Sequence, residues 1–192
     1  MSLNCQAAGQ VGMGASAKLD QGAVVGAAFE VLNSVGLDGL SLRLVAERLG
    51  VQAPALYWHV HNKAELISLM AATFSEEASR ALTMGGTWRE KLLLSARARR
   101  QAMLKLKDSA RVCVMAQPTR SAADVAPGLT APLVEVGLNA RQAMSYQAAV
   151  IAYTVGWVAY EQSQSMHDFL TQLFDFDESF ETGLQAMVSG FA

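Results

Sequence analysis

Between Ser41 and Val60 the chain spells two short helices separated by a glycine turn, and no other stretch restricts its fold as tightly. The first helix, SLRLVAERL, runs from Ser41 to Leu49, opens on a capping serine and stops at Gly50. Gly50-Val51 makes a tight turn. The segment QAPALYWHV then starts a second short helix, with Pro54 in its first turn, where a missing N–H costs nothing. Two short helices joined by three or four residues that include a glycine make a helix-turn-helix. Small Ala46 lets the second helix pack close, and Val45, Leu49, Val51 and Leu56 supply a shared core. That leaves Arg43, Gln52, Ala53, Pro54, Ala55, Tyr57, Trp58 and His59 to face outward. Outward Tyr and Trp are unexpected on a plain surface and make sense when a DNA groove covers them.

The rest of the chain reads as helix almost throughout, with no strand-like alternation bounded by turns. A first helix over Asp20–Val35 carries Val24, Ala27, Ala28, Val31, Leu32 and Val35 at helical spacing and ends at Gly36. Further helices are expected over Asn62–Leu82, Thr87–Lys107 and Asn139–Ser165, with a last one from about Glu178. Asn62/Glu65, Thr87/Glu90 and Asn139/Gln142 have the spacing of capping boxes. Residues 111–137 look less regular, punctuated by Pro118, Pro127 and Pro132. The expected fold is all-α: a flexible arm over 1–17, a three-helix helix-turn-helix domain over 18–64 and a larger helical domain over 65–192.

Composition narrows the function. Of 192 residues, 52% are hydrophobic and 17% charged, which argues against disorder. The net charge is -2, so any DNA binding must come from a local surface. Eight Lys or Arg against two acids fall in residues 89–111, and beyond Arg141 there are six acids and no Lys or Arg; the plain reading of both is a solvated face. Cys5 and Cys113 are too far apart in sequence to suggest a disulfide framework, and no metal-ligand spacing occurs, so neither metal nor other cofactor is expected. His59 and His61 point apart on a helix and make a poor metal pair. Met1–Ala17 has no basic residue and no apolar run, unlike a signal peptide, and Ala148–Tyr160 is too short to span a bilayer. No membrane contact is expected, and the expected location is the cytoplasm.

The stretch GLDGLSLRLVAERLGVQAPALYWHVHNKAEL, above all LYWHV followed by Asn62, Lys63 and Leu66, resembles the TetR family, and within it the tetracycline repressor subgroup. A looser likeness continues at Trp88, Gln117-Pro118-Thr119, Gly137-Leu138 and Phe180–Leu184. The resemblance implies a homodimeric regulator that binds double-stranded operator DNA and answers to a small-molecule effector. By position it implies that Arg43 reads a guanine edge, that Pro54 and Tyr57 touch bases or thymine methyls, and that Ser41, Trp58, His59 and Lys63 meet phosphates. Gln52 and Ala53 open the reading helix. Ala53 and Ala55 depart from the polar readers usual there, which implies a different operator sequence.

The resemblance also implies that the last long helices of two subunits pack together. Ala148, Ala152 and Gly156 form a small-residue stripe, which either lets helices approach closely or leaves room for a ligand. The subgroup's drug and magnesium positions map to Ser79, Ser95, Arg99, Cys113, Ala116, Ala152 and Tyr160, none of which is a residue that site uses, so another effector is expected. Ser95, Arg99, Met103, Cys113, Gln147 and Ile151 are the candidate effector contacts. Arg99 interrupts an inward, mostly apolar row, Trp88, Leu92, Ser95 or Ala96, Met103 and Leu106. That suggests either an acidic effector, or pairing with an internal acid such as Glu161, or a stem bent out to solvent. Two other readings exist: an enzyme with Cys113 as nucleophile, for which no basic partner, phosphate loop or G-x-S-x-G is visible, and a helical ligand-binding or interaction protein that has lost specific DNA binding.

Overall fold

A computed structural model describes residues 19–192; the expected arm over 1–17 lies outside them. The described residues form ten helices and no strand: α1 (Gln21–Gly39), α2 (Leu42–Leu49), α3 (Ala53–Leu56), α4 (Lys63–Leu82), α5 (Trp88–Leu104), α6 (Ser109–Met115), α7 (Ala122–Val134), α8 (Ala140–Gln162), α9 (Gln164–Leu170) and α10 (Phe176–Ser189).

Helix starts follow local chemistry. Asp20 accepts from Ala23 N–H at 2.8 Å, and Ser41 accepts from Leu44 N–H at 3.3 Å. Thr87/Glu90 and Asn139/Gln142 form full capping boxes. Asn62/Glu65 forms only half of one. Asn62 Oδ1 accepts from Glu65 N–H at 2.9 Å, but Glu65 reaches past Asn62 to the N–H of His61 at 2.7 Å and its ring Nδ1 at 2.9 Å. His61 offers the carboxylate two partners where Asn62 offers one. Gly36 breaks the path of α1 with φ 74°, a conformation that glycine adopts without penalty, and one further turn follows it.

Two expectations fail in the second half. Residues 111–137 are not irregular, because α6 and α7 occupy most of them, with Pro127 and Pro132 inside α7. Each proline forfeits one helical hydrogen bond. The Ser121 cap, which accepts from Asp124 N–H at 3.2 Å, and the burial of Thr130 and Leu133 hold the helix nonetheless. The long helix also stops earlier than expected, at Gln162. A short α9 follows, and α10 begins at Phe176 behind an Asp175 cap.

Two apolar cores hold the chain. One gathers Leu32, Leu37, Leu40, Val45, Leu56, Leu66, Met70 and Phe74 from α1–α4, and reaches into α5, α6 and α8 through Met103, Val112 and Val158. The other joins Leu92, Ala96, Leu133, Val150, Phe180 and Leu184. Each large side chain fully buried in them contributes about 1.5–3 kcal/mol of transfer free energy. The first core runs through α4, so residues 19–64 share apolar packing with the rest of the chain.

The uneven charges are not simply a solvated face. Arg97 Nε donates to Glu181 at 3.0 Å, Arg100 grips Glu161 with two bonds of 2.8 Å and reaches Asp177 at 2.6 Å, and these pairs tie α5 to α8 and α10. Lys105 and Lys107 remain exposed. Lys91, buried, donates to the Leu82 and Met84 carbonyls at 2.8 and 2.7 Å and so satisfies the C-terminal end of α4.

Candidate nucleic-acid interface and interior ligand site

The turn between α2 and α3 closes through the left-handed Gly50, φ 68°, with Val51 N–H donating to Ala46 at 3.0 Å. Helix α3 is a single turn, shorter than the expected run to Val60, and the chain goes on as turns in which His59 and Val60 N–H both donate to Leu56 O. Leu56 and Val60, both 0% exposed, pin this segment to the core. The pinning turns the intervening residues outward: Tyr57 is 50% exposed and Trp58 88%. Arg43, Gln52 and Pro54 are exposed as well. Ser41, Ala53, Ala55, His59 and Lys63 are half-buried. Ala53 and Ala55 were expected to face fully outward. So short a helix lies flat on its core, and Ala53 packs against that core.

The described part of this head, residues 19–64, carries three Lys or Arg against four Asp or Glu. Arg43 Nε donates to Glu47 Oε1 at 2.9 Å, and that hydrogen bond and charge raise the guanidinium pKa above its ordinary value. Arg48 pairs with Glu30, and Asp38 pairs with Arg111 at 2.8 Å. Lys63 Nζ donates to Leu37 O at 2.9 Å, which ties the start of α4 to the end of α1 and leaves two ammonium protons free. Sequence reasoning missed Glu47 as the partner of Arg43, although the i,i+4 spacing on α2 was legible.

The candidate effector residues lie inside. Ser95, Arg99 and Met103 occupy successive turns of α5 and are 2%, 5% and 0% exposed. Cys113 on α6 and Ile151 on α8 are half-buried, and Gln147 on α8 is buried. The Ser95 hydroxyl donates to Leu92 O at 2.9 Å. Arg99 has one long hydrogen bond, Nη1 to Ser75 Oγ at 3.4 Å, and no carboxylate within salt-bridge reach among the described residues. The acid suggested for it, Glu161, belongs to Arg100 instead, and its stem does not bend out to solvent. Burial pushes the Arg99 pKa below the ordinary guanidinium value, opposed in part by Cys113. Burial likewise pushes the Cys113 thiol up, opposed in part by Arg99. Gln147 Oε1 is buried with no hydrogen-bond donor among the described residues. Nothing in the sequence marked Ser75, because it approaches Arg99 from another helix.

Two clefts open elsewhere. One, of about 650 Å³, lies among Glu161, His167, Phe174 and Phe176; the other, of about 580 Å³, lies among Ala110, Val114, Met115 and Ala159. None of the six candidate effector residues lines either. Ala148, Ala152 and Gly156 are exposed along α8, so the stripe faces away from the chain's own core. Among the described residues, no three His, Cys, Asp or Glu side chains cluster to hold a metal, and no helix is long and apolar enough to cross a membrane.

Comparison with known proteins bears on both halves. The profile described as "Bacterial regulatory proteins, tetR family" matches residues 24–70, and "Tetracyclin repressor-like, C-terminal domain" matches residues 82–172. The tetracycline repressor protein class A from transposon 1721 of Escherichia coli is 35% identical, over 91% of each chain. Among solved structures, TetR from Acinetobacter baumannii AYE is 35% identical with a TM-score of 0.75, covering 91% of this chain and 97% of its own. TetR(class A) in complex with 5a,6-anhydrotetracycline and magnesium is 34% identical with a TM-score of 0.72, covering 90% and 98%.

Proposed function

The chain belongs to the TetR family of bacterial regulators, and from that premise we propose that it represses transcription from a near-palindromic operator until a small molecule other than magnesium–tetracycline enters between α5 and α8. As in the family, DNA binding belongs to the N-terminal part and ligand binding to the C-terminal part. The observation that carries the reading is the pair Tyr57 and Trp58, held out to solvent by an anchored Leu56–Val60 segment beside the exposed Arg43. An aromatic pair with no partner among the described residues, on a helix-turn-helix, is surface that a DNA backbone and groove would cover. Arg43 reads a guanine, Pro54 and Tyr57 meet bases, Ser41, Trp58, His59 and Lys63 meet phosphates, and Gln52 and Ala53 open the reading helix. Residues 18–64 form the DNA-binding unit and 65–192 the effector and dimer unit.

A homodimer follows from the exposed small-residue stripe of α8. Without large side chains, two such helices approach closely, and the two heads then meet half-sites one or more turns apart. Magnesium–tetracycline does not suit this interior chemically. Ser95, Arg99 and Cys113 stand at the mapped positions, and none offers the neutral imidazole or carboxylate that holds magnesium.

Selection from random duplexes, followed by a salt-dependent gel shift, tests the regulator. A single near-palindromic consensus supports it, and uniform retention of all sequences removes it. Fluorescence titration with tetracycline and magnesium tests the effector claim. No tight saturable signal is expected, and sub-micromolar affinity would overturn it.

A further inference from the structure

On the reading that the interior between α5 and α8 receives the effector, we infer that the effector is an organic carboxylate whose charge seats on Arg99. Arg97 and Arg100 on the same helix are each matched to acids, Glu181 for the first and Glu161 with Asp177 for the second. Arg99 is more buried than either residue and has none. Among the described residues, the only polar group within hydrogen-bond distance is the Ser75 hydroxyl at 3.4 Å, which carries no charge. Cys113 does not supply the missing charge, because burial keeps its thiol protonated. Residues 1–18, outside the described part, contain no Asp or Glu.

A guanidinium offers five donors in a planar fork, and four remain unused here. An isolated buried charge is costly, and this fork matches a carboxylate with two parallel bonds. The surroundings set the rest of the ligand. Leu92, Ala96 and Met103 flank Arg99 on α5, so the body of the molecule is apolar.

Thermal unfolding of the full chain with 1-naphthoate, 3-hydroxy-2-naphthoate and neutral 1-naphthamide tests this, on the parent, Arg99→Met and Arg99→Lys. The carboxylates raise the parent melting temperature by roughly 5 °C or more at a hundredfold excess over Kd, and the amide does not. Arg99→Met melts at or above the parent, because an unmatched buried charge is gone, and loses the ligand shift; Arg99→Lys keeps part of it. A shift retained in Arg99→Met, equal shifts from the amide, no shift from either carboxylate, or an Arg99→Met protein that melts far below the parent or fails to fold each overturn the inference. Operator binding separates this from the regulatory reading. A carboxylate shift that depends on Arg99 but leaves the operator complex intact keeps the anion site and removes the effector role. Release by the neutral amide, indifferent to Arg99, keeps the effector role and removes the anion.

Discussion

Replacing Arg100 by Met should be among the most destabilising single changes in this chain. The Arg100 and Glu161 side chains are only 11% and 10% exposed, and two bonds of 2.8 Å join them. Burial works against the Arg100 charge, but its hydrogen bonds to Glu161 and Asp177 outweigh that and hold its pKa above the ordinary value. Asp177 is 85% exposed and adds little. Arg100→Met therefore leaves the Glu161 carboxylate buried with no cation, which costs about 3–5 kcal/mol. For a chain of this size that lowers the melting temperature by roughly 6–20 °C. The assay is thermal unfolding followed by circular dichroism, at matched protein concentration because a dimer melts according to mass action. The control is the double variant Arg100→Met/Glu161→Leu. If the orphaned carboxylate causes the loss, the double variant recovers most of it. It does not recover all, since the guanidinium also lies 4.6 Å from the Phe180 ring centre. A loss under about 1 kcal/mol for Arg100→Met, or a double variant as unstable as the single, would show that the orphaned Glu161 carboxylate is not the cause.

Three further outcomes follow from the same geometry. Glu47→Gln removes the carboxylate that holds Arg43, so DNA selection should give a weaker preference at the base pair Arg43 reads with little change in melting temperature; an unchanged consensus counts against that pairing as an orienting contact. Glu181 has its pKa lowered, chiefly by the Arg97 hydrogen bond, so its contribution is present above the unfolded value near 4.3 and is lost as pH falls through the lower folded value. Glu181→Gln should flatten the fall in melting temperature between about pH 5 and pH 3, and an unaltered profile would exclude this pair as its source. Trp58→Ala, at a side chain making almost no intramolecular packing, should leave stability within about 0.5 kcal/mol but weaken operator binding by about 1.5–3 kcal/mol; binding equal to the parent would remove Trp58 from the interface.

The helix-turn-helix was legible because its signals are local. Ser41 caps, Gly50 turns, and Leu56 is spaced to be buried while Tyr57 and Trp58 are not; Val60, also buried, was not among the expected core residues. Helix α7 was missed because proline is a local signal for a break, and what opposes it, the burial of Thr130 and Leu133, is not local. The charge pattern was misread for a similar reason. Arg97 and Arg100 look like a solvated basic face until α8 and α10 bring Glu161, Asp177 and Glu181 beside them. The inward position of Arg99 could be read from helical spacing alone. Its lack of a partner could not, since that depends on Glu161 lying beside Arg100.

Salt-dependent titration of a selected operator and a scrambled duplex, with the parent, Arg43→Ala and Lys63→Ala, decides whether this chain reads DNA through its helix-turn-helix. The parent should prefer the operator by at least about 1,000-fold. Arg43→Ala costs about 1–3 kcal/mol per half-site and relaxes one base pair in each. Lys63→Ala weakens both duplexes alike and, in a dimer, reduces the slope of log K against log salt by about 2. Equal parent affinity for operator and scrambled duplex, or two variants that bind the operator as the parent does, would contradict it.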